Sequence, residues 1–500
     1  MSQAVIASEQ PRRYGHWIGG RETGSPSIER HSPATGRLLA TFAAGNDMDV
    51  DVAVKTARAA FEKSGWARRS GAERALVLNT WADLVAADAE RLARMEAEEV
   101  GKPIKYARGE VGYSVQMIRY AAALAFQLKG DIFNNLGPGA LGLVTRESRG
   151  IIGMIVPWNF PLVCLIQKLP FALATGCATV IKPSELTSGT ALEVARLAAK
   201  AGVPDGLINV VTGSGDPVGK AISLHPDVDM LSFTGSTTVG RQIAMAAAAR
   251  IIPVSLELGG KGANIVFEDA DINQALDGAL FGGMLNQGQE CCAGSRLLVQ
   301  DSIADGFLEQ LVGRAAKIRV GDPMDDATDI GPMIHAQQRG RVMSFIEGAQ
   351  GAGARALIGG RPLAGAKYDK GHFIGMSILD KVSPQMDIFR REVFGPVLTV
   401  TRFRTDDEAL ALANDTAYGL ASGLWTGSLE RAHRISAGIN TGTVYVNTYL
   451  ESAMQLPFGG WRESGLGHEM GLEGLLEFTK IKSTFIKLSG RALALPHTAG

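Results

Sequence analysis

The sequence is poor in cysteine. Its 500 residues include four cysteines, Cys164, Cys177, Cys291 and Cys292, two of which are adjacent. A chain of this length with so few cysteines is not built on a disulfide framework, and it is more typical of a reducing compartment. We therefore expect a cytoplasmic protein with free thiols.

Long uninterrupted hydrophobic runs are also absent. The most apolar region, residues 150–181, contains Pro157, Pro161, Lys168 and Pro170. Proline and a buried charge at these positions exclude a simple membrane helix. The opening MSQAVIASEQPRR has no apolar core that would predict a secretory leader, so neither a membrane nor export is expected.

An excess of charge of one sign is lacking as well. The chain has 50 Lys and Arg against 51 Asp and Glu, a formal net charge of -1, with no basic run. A basic patch is the usual mark of a nucleic-acid partner, so none is expected. No CxxC or HxxxH pair accompanies the cysteines, and we expect no metal site.

What the sequence does contain is the pattern of an α/β protein. Apolar residues make up 46% of a chain long enough for two lobes. Helical spacing of apolar residues predicts amphipathic helices over 49–66 and 72–100. From residue 150 to about 239, the β-rich runs GIIGMIV, ATVIK, INVVTG and MLSFTG alternate with Ala-rich helical stretches. This alternation predicts a parallel sheet covered by helices.

A second series of the same kind follows Glu257. The runs NIVF, RLLVQ, VLTVTRF and TVYVN predict strands, with helices such as 302–319 between them. No linker or low-complexity tract separates the two series. The boundary near 257–261 is therefore expected inside the fold, where residues face both lobes.

Four fragments of the first series carry candidate site residues. In PWNFP, the two prolines stiffen a turn that can hold the Asn159 amide as an oxyanion donor, although an Asn that satisfies its own turn is more common. In KPSE, Glu185 follows a strand where doubly wound folds bind an adenine ribose, or it is a solvated carboxylate. The glycine-rich turns GSGDPVG and FTGSTTVG suit a pyrophosphate, and Ser236 is the favoured contact.

Two fragments at the boundary carry candidate reactive groups. In LELGGK, a Glu257 carboxylate in a partly apolar cleft would have a raised pKa and serve as a general base. In NQGQECCAGSR, adjacent cysteines lie in a loop between a helix and a strand, and exposure in a polar loop would keep a nucleophilic thiol reactive. Taken singly, a solvated glutamate and an inert cysteine are the commoner explanations.

Taken together and in order, these fragments resemble the aldehyde dehydrogenase superfamily. PWNFP, KPSE, FTGS, LELGGK, GQECCAGSR, EVFGP and PFGGWRESGLG have the family's order and spacing, and the resemblance extends from about residue 15 to residue 488. It implies oxidation of an aldehyde to a carboxylic acid through a cysteine thiohemiacetal and thioester. It also implies NAD as cofactor, with NADP disfavoured by the Glu185 carboxylate.

The resemblance assigns roles residue by residue. Cys291 becomes the nucleophile, Asn159 the oxyanion donor, Glu257 the base that activates water, and Lys168 and Glu469 a proton relay. The implied cofactor contacts are Ile155, Pro157, Trp158, Lys182, Ser184, Glu185, Gly215, Gly219, Phe233, Thr234, Gly235, Ser236, Val239, Leu258, Gln338, Glu392 and Phe394. The implied substrate pocket is Phe160, Cys164, Gln167, Glu290, Cys292, Ser452 and Phe458.

The resemblance further implies three domains. A Rossmann-like cofactor domain covers 1–126 and 149–259, an α/β catalytic domain covers 260–464, and a small β extension over 127–148 and 465–490 pairs subunits into a dimer or tetramer. If the subunits did not pair, the predicted terminal strand near residues 483–488 would leave an unpaired sheet edge. Gln167 stands where cages for trimethylammonium aldehydes often have Trp, so a medium-sized apolar or aromatic aldehyde is preferred over betaine aldehyde.

Three rival functions remain open at this stage. A CoA-acylating semialdehyde dehydrogenase typically lacks the water-activating glutamate, so Glu257 disfavours it. A structural or binding protein that kept the fold without the activity would not need Cys291, Glu257 and Asn159 together. A cysteine esterase needs no cofactor, so it would not explain the cofactor-binding fragments KPSE, FTGS and EVFGP.

Overall fold

The computed structural model of the protein describes residues 10–488. The outer ends of the expected domain segments, residues 1–9 and 489–490, lie outside the described residues. Within residues 10–488, no helix has the length and apolar character needed to cross a bilayer.

The strands follow one another along the chain as β1 (Arg12–Tyr14), β2 (His16–Ile18), β3 (Arg21–Thr23), β4 (Pro26–His31), β5 (Leu38–Ala43), β6 (Asp131–Phe133), β7 (Ala140–Ser148), β8 (Ile151–Ile155), β9 (Ala178–Lys182), β10 (Ile208–Val210), β11 (Met230–Thr234), β12 (Val254–Glu257), β13 (Ala263–Val266), β14 (Arg296–Gln300), β15 (Arg355–Ile358), β16 (Ser377–Asp380), β17 (Val397–Phe403), β18 (Ala421–Trp425), β19 (Thr443–Val446), β20 (Gly465–Leu466) and β21 (Thr479–Lys487).

The α-helices are α1 (Asp47–Lys63), α2 (Gly71–Ala87), α3 (Ala89–Val100), α4 (Ile104–Leu124), α5 (Pro161–Ile166), α6 (Leu169–Ala174), α7 (Gly189–Lys200), α8 (Lys220–Leu224), α9 (Thr237–Arg250), α10 (Ile272–Met284), α11 (Ala304–Ala315), α12 (Ala336–Gly351), α13 (Asp387–Arg390), α14 (Asp406–Asn414), α15 (Leu429–Gly438) and α16 (Gly471–Glu477).

The first lobe is built on a sheet with the strand order β20-β12-β11-β8-β9-β10-β2-β3. Strands β12 to β10 in this order are parallel, while β20, β2 and β3 pair antiparallel. All side chains of β8 and β9 are buried, because helices cover both faces of the sheet. The predicted parallel sheet is confirmed.

The second lobe contains a sheet with the order β15-β16-β17-β14-β13-β18-β19, parallel except for β15. The first sheet's β12 ends at Glu257 and the second sheet's β13 begins at Ala263. The short connection between them is the expected seam. It places Glu257 and the glycines that follow it between the lobes.

A small antiparallel sheet, β21-β7-β6, lies apart from the two larger sheets. Strand β21 pairs with β7 along its whole length, from Thr479 opposite Ser148 to Lys487 opposite Ala140. Apolar side chains of this sheet, including Phe133 and Phe485, are exposed. A further sheet of the order β1-β5-β4 lies near the start of the chain.

The expected extension segment 465–490 divides in the structure. Strand β20 pairs with β12 at the edge of the first sheet, and Met470, Leu475 and Phe478 belong to the first lobe's core. Only β21 joins the small sheet. The physical reason is burial, because α16 packs its apolar face against α6 of the first lobe.

Two helix predictions need correction. The predicted helix over 72–100 is two helices that meet at Asp88, whose backbone leaves the helical region and whose carboxylate accepts hydrogen bonds from Arg91. The predicted helix over 302–319 is shorter, since α11 ends at Ala315. The apolar periodicity continued past both ends because nearby loop residues are also partly buried.

Candidate active site

The carboxyl ends of the first sheet's parallel strands form one row. Lys182 lies in register with Ile155, and Ile155 with Phe233. Beside them, Thr234 lies in register with Glu257. Doubly wound sheets bind ligands at this edge. Residues far apart in the sequence are therefore brought together by strand register alone.

A cavity of about 530 Å³ lies where this edge faces the second lobe. It is large enough for a small organic ligand. The predicted site residues that line it are Pro157, Trp158, Asn159, Phe160, Cys164, Gln167, Thr234, Gly235, Ser236, Glu257, Leu258, Glu290, Cys291, Cys292, Gln338, Glu392, Phe394, Ser452 and Phe458. The predicted residues outside its lining are Ile155, Lys168, Lys182, Ser184, Glu185, Gly215, Gly219, Phe233, Val239 and Glu469.

Cys291 reaches the cavity on a tight loop between α10 and β14. Just before it, Asn286 and Gln287 adopt left-handed backbone conformations with φ of 49° and 59°. Such conformations are costly for residues with a side chain and persist where packing enforces them. Buried hydrogen bonds hold the loop, including one of 3.0 Å from the Ile334 N–H to Gln289 Oε1.

The sequence-based expectation of an exposed thiol is wrong. Cys291 is half-buried, and its Sγ lies 3.9 Å from Cys292 Sγ and 3.6 Å from Glu290 Oε1. The hydrogen bond with Cys292, burial and the Glu290 carboxylate raise the pKa of Cys291 well above its usual range. The resting group is therefore a thiol that needs a proton acceptor.

The Asn159 amide is held in one position, as the stiff PWNFP turn predicts. Pro161 starts α5, and Asn159 is 5% exposed. Its Nδ2 donates to the Gln289 carbonyl at 3.0 Å, and its own carbonyl accepts from Asn286 Nδ2 at 2.8 Å. An amide nitrogen carries two protons, so one remains to donate into the cavity.

Glu257 ends β12 at the cavity wall and is 3% exposed. Neither of its carboxylate oxygens has a hydrogen-bond partner among the described residues. Burial raises the pKa of Glu257 well above its usual range, and the nearby Lys168 opposes the shift only in part. A buried carboxyl of this kind is suited to accept a proton.

Behind Glu257, Lys168 and Glu469 form a buried ion pair. Glu469 Oε1 also accepts a hydrogen bond of 3.4 Å from Thr234 Oγ1. Burial lowers the pKa of Lys168 to about 8, while Glu257 favours its charged form. The pair connects the catalytic edge of the first sheet to the segment after β20.

The second glycine of LELGGK has a steric role. A Cβ at Gly260 would overlap the carbonyl oxygen of Cys291. The absent side chain lets the loop of Cys291 approach the seam. The paired glycines therefore position the Cys291 backbone, in addition to exposing the backbone beside Glu257.

The EVFGP loop forms the opposite wall. Glu392 Oε1 accepts the Gly260 N–H at 3.1 Å, and burial raises the pKa of Glu392 to about 7. The rings of Phe394 and Trp158 pack edge-to-face at 5.3 Å. Gln338 donates its side-chain amide to the Phe394 carbonyl at 2.9 Å and so fixes the loop.

The residues present fit a dinucleotide. FTGS joins β11 to α9, and the Ser236 hydroxyl caps that helix by accepting the Val239 N–H at 3.4 Å. The other first-turn amides are available to an anion. Gly219 lies beside the same strand ends, since a Cβ built on it would be 3.5 Å from the Lys182 side chain and 3.6 Å from that of Ile155.

The other predicted cofactor residues lie along the same sheet edge. Lys182 Nζ lies 3.3 Å from Glu185 Oε2 and donates to the Pro183 carbonyl at 2.8 Å. Ser184 Oγ accepts the Leu186 N–H at 3.3 Å, so it stabilises its own turn. Gly215 begins the short helix 215–219, which precedes α8.

Several cavity residues were missed by sequence reasoning. They come from α4, β19, the loop after β19 and the segment before α16, and are Lys105, Tyr106, Glu110, Tyr113, Tyr445, Leu450 and Met470. Gln167 Nε2 and the Tyr113 hydroxyl both contact the Met470 sulfur, at 3.5 and 3.7 Å. Charged and tyrosine side chains on a helix look like an ordinary surface in a sequence, so no local signal marked α4.

Comparisons with known proteins agree with this arrangement. A model of the aldehyde dehydrogenase family matches residues 17–484. Aldehyde dehydrogenase 1 of Tanacetum cinerariifolium is 42% identical over 91% of each chain. The NADP/NAD-dependent aldehyde dehydrogenase PuuC of Escherichia coli (strain K12) is 42% identical over 92% of each chain.

Solved structures give the same result. An NAD-dependent aldehyde dehydrogenase from Sinorhizobium meliloti superimposes with a TM-score of 0.94 at 42% identity, covering 97% of this chain and 96% of that chain. A betaine aldehyde dehydrogenase from Staphylococcus aureus, in complex with NAD+, has a TM-score of 0.94 at 35% identity, covering 96% of each chain. With its motifs, sheet order and cavity in agreement with these comparisons, the chain belongs to the aldehyde dehydrogenase family.

Proposed function

We propose that Cys291 is the nucleophile with which this NAD-dependent aldehyde dehydrogenase oxidises an aldehyde to the carboxylic acid. One observation carries the proposal. Cys291 from the second lobe and Asn159 and Glu257 from the first line the same cavity. These three side chains supply a nucleophile, an oxyanion donor and a base, which are the groups that acyl transfer to water requires.

The first step forms a bond between Cys291 Sγ and the aldehyde carbon. The carbonyl oxygen gains negative charge, which the free Asn159 Nδ2 proton and the Cys291 backbone N–H stabilise. One oxyanion donor of this kind contributes roughly 3–4 kcal/mol. Because the Asn159 amide is already fixed by Gln289, little reorganisation is needed.

NAD, when bound, accepts the hydride that the thiohemiacetal carbon releases, which leaves a thioester on Cys291. We assign its nicotinamide end to the wall formed by Trp158, Glu392 and Phe394. The pyrophosphate is assigned to Ser236 at the start of α9, and the adenine ribose to Lys182 and Glu185. Gln338 acts by holding the Phe394 backbone.

Hydrolysis of the thioester is the task of Glu257. Its carboxylate accepts a proton from a water molecule, whose oxygen attacks the thioester carbon and releases the acid and the Cys291 sulfur. The buried ion pair of Lys168 and Glu469 lies near Glu257, on the side away from the cavity. We propose that this pair passes the proton onward.

NAD is favoured over NADP for an electrostatic reason. Glu185 would face the 2′-phosphate of NADP, and two negative groups at this distance repel. Lys182 lies 3.3 Å from Glu185 and reduces this repulsion. The selectivity is therefore expected to be a preference, in line with a relative named for use of both cofactors.

The cavity wall favours a medium-sized apolar or aromatic aldehyde. Its inner surface is formed by rings and apolar chains, which are those of Tyr106, Tyr113, Phe160, Val163, Phe281, Leu285, Tyr445, Leu450, Phe458 and Met470. Gln167 is a polar amide where a cage for trimethylammonium groups would need another ring. Betaine aldehyde is accordingly disfavoured.

The small sheet is proposed as the oligomerisation surface. Its exposed apolar side chains include Ile132, Phe133, Ile481 and Phe485, and neither outer strand pairs on its outer edge with any strand of residues 10–488. We propose a dimer or tetramer through this sheet, with 10–126, 149–259 and β20–α16 as the cofactor domain and 260–464 as the catalytic domain. A reducing, cytoplasmic location suits the free cysteines.

The test is a panel of aliphatic, aromatic and terpenoid-like aldehydes, assayed by NADH absorbance with NAD and NADP in parallel. We expect turnover without CoA, the highest kcat/KM for apolar or aromatic substrates, and none after Cys291→Ala. Turnover that needs CoA would show an acylating enzyme. Ester hydrolysis without NADH formation from any aldehyde would show an esterase instead.

A further inference from the structure

The side chain of Glu290 folds back onto the thiol of the next residue. The Cys291 thiol donates to Glu290 Oε1 over 3.6 Å, and the same oxygen accepts the Cys292 backbone N–H at 3.3 Å. The two donors hold this carboxylate oxygen beside the sulfur. Glu257 makes no such contact, since neither of its oxygens has a hydrogen-bond partner among residues 10–488.

The reaction moves protons at two different atoms. An aldehyde, NAD and water become a carboxylate, NADH and two protons. The Cys291 sulfur loses a proton when the carbon–sulfur bond forms, and water loses two when the thioester is hydrolysed and the acid ionises. One of these three protons returns to the sulfur, so two are released. Four carboxylates line the cavity, those of Glu110, Glu257, Glu290 and Glu392. Glu290 contacts the sulfur, Glu392 and Glu110 are held by Gly260 and Lys102, and Glu257 has no hydrogen-bond partner among residues 10–488.

We propose that Glu290 accepts the thiol proton of Cys291 as the sulfur attacks the aldehyde, and that Glu257 serves only the hydrolytic step. The inference rests on the proposed role of Cys291 as nucleophile. In this step the S–H bond breaks, an O–H bond forms on Glu290 Oε1, the S–C bond forms, and the carbonyl electron pair moves to the oxygen held by Asn159. Glu290 is half-buried and faces the cavity, so it returns the proton to water there.

The surroundings of Glu290 suit a base that works near neutral pH. Burial raises the pKa of Glu290 to about 7, while the Cys292 N–H, the Cys291 thiol and the Lys102 ammonium favour the carboxylate. A base with its pKa near the working pH combines availability with strength. The titratable and charged groups coupled to this site are Lys102, Glu110, Cys164, Glu257, Cys291, Cys292, Glu392, Tyr445 and Tyr449.

Lys102 and Glu110 complete the polar side of the cluster. Lys102 is fully buried, lies 2.5 Å from Glu110 Oε2, and stands over the Phe160 ring at 4.2 Å. Its charge is shared among Glu110, Glu96 at 3.7 Å and the more distant Glu290. Lys102 therefore favours the charged form of Glu290 only in part.

The experiment separates the two proton transfers by transient kinetics on the full-length enzyme. Glu290→Gln keeps the shape of the side chain and removes the base. We expect its NADH burst to slow about a hundredfold and to lose its rise with pH near 7. Decay of the preformed acetyl-enzyme, isolated after prolonged reaction with p-nitrophenyl acetate, should keep its wild-type rate.

Two comparison variants make the result specific. Glu257→Gln should keep the burst and its pH dependence while acyl-enzyme hydrolysis is lost. Glu290→Asp keeps a carboxylate and should recover part of the burst rate. Glu309→Gln, an exposed carboxylate on α11, controls for a general loss of negative charge.

Clear outcomes would overturn the inference. A normal burst in Glu290→Gln would show that Glu290 does not take the thiol proton, and loss of the burst in Glu257→Gln would show that Glu257 acts before hydrolysis. In either case the proposed role of Cys291 would stand. NADH formation by Cys291→Ala would instead remove the proposed function. If Glu290→Gln fails to fold, the pH dependence of the wild-type NADH burst rate tests the proposal. A burst rate that is constant between about pH 6 and pH 8 contradicts the action of a base whose pKa lies near neutral pH.

Discussion

The side-chain amide of Asn159 donates to the carbonyl oxygen of Gln289 at 3.0 Å. Asn159 belongs to the first lobe, and Gln289 lies two residues before Cys291 on the second. The Asn286 side chain returns a hydrogen bond of 2.8 Å to the Asn159 carbonyl. The oxyanion donor and the nucleophile's loop are thus held together directly across the seam.

Asn159→Ala should lower kcat by roughly 10²- to 10³-fold, because the oxyanion loses its side-chain donor. NAD affinity should change little, since the cofactor wall is formed by other residues. Steady-state kinetics and cofactor titration by fluorescence measure the two effects. A variant with nearly normal kcat would remove Asn159 from the proposed oxyanion site.

The hydrolytic rate should rise with pH and lose this dependence in Glu257→Gln. Burial raises the pKa of Glu257, so below that pKa the group is protonated and cannot accept a proton from water. Above it the carboxylate forms and hydrolysis accelerates. Acyl-enzyme decay measured across a pH series tests this prediction. If the rate of decay rises with pH in the variant as it does in the wild type, another group is responsible for the rise.

Lys168→Met should destabilise the fold by about 3 kcal/mol, because it leaves the buried Glu469 carboxylate without its cation. The double variant Lys168→Met with Glu469→Gln should recover part of this loss, since no charge then remains unpaired. Urea unfolding gives both free energies. If Lys168→Met is as stable as the wild type, the ion pair contributes little to the free energy of unfolding.

Gly260→Ala should reduce kcat about a hundredfold, because its Cβ would displace the Cys291 backbone and small misplacements of reacting groups are costly. Gly313→Ala is the matched control. It lies within α11, where a Cβ meets nothing within 4 Å. The control should keep full activity, and equal losses in both variants would contradict the steric account.

Glu185→Gln should raise the ratio of NADP to NAD kcat/KM roughly tenfold by removing a negative charge near the 2′-phosphate. Lys182 then loses its partner and is free to attract the phosphate. Parallel assays with both cofactors give the ratio. If it stays constant, selectivity is set elsewhere.

Much of the fold could be predicted from local patterns. Alternating β-rich and Ala-rich segments located β8 to β11 of the first sheet and β13, β14, β17 and β19 of the second, since parallel strands covered by helices are continuously apolar. The patterns did not predict β15, β16 and β18. The end of a helix at Asp88 and the pairing of β20 with β12 could not be predicted. Both depend on tertiary packing, which a periodic pattern does not record.

The candidate site was predictable where several motifs act together. The order of the fragments placed Asn159, Glu257 and Cys291, although each fragment alone has a more ordinary explanation. The contact of Glu290 with the thiol was not predictable, because it depends on the left-handed turn at Asn286 and Gln287. The exposure expected for Cys291 was wrong for the same reason.

The central claim is that the covalent intermediate forms on Cys291. The most direct measurement is mass spectrometry of Glu257→Gln, quenched after one turnover with NAD and an aromatic aldehyde and then digested. The account predicts an acyl adduct that fragmentation assigns to Cys291, formed with one NADH per site. An adduct on Cys292 or Cys164, or NADH released with no adduct on any cysteine, would contradict it.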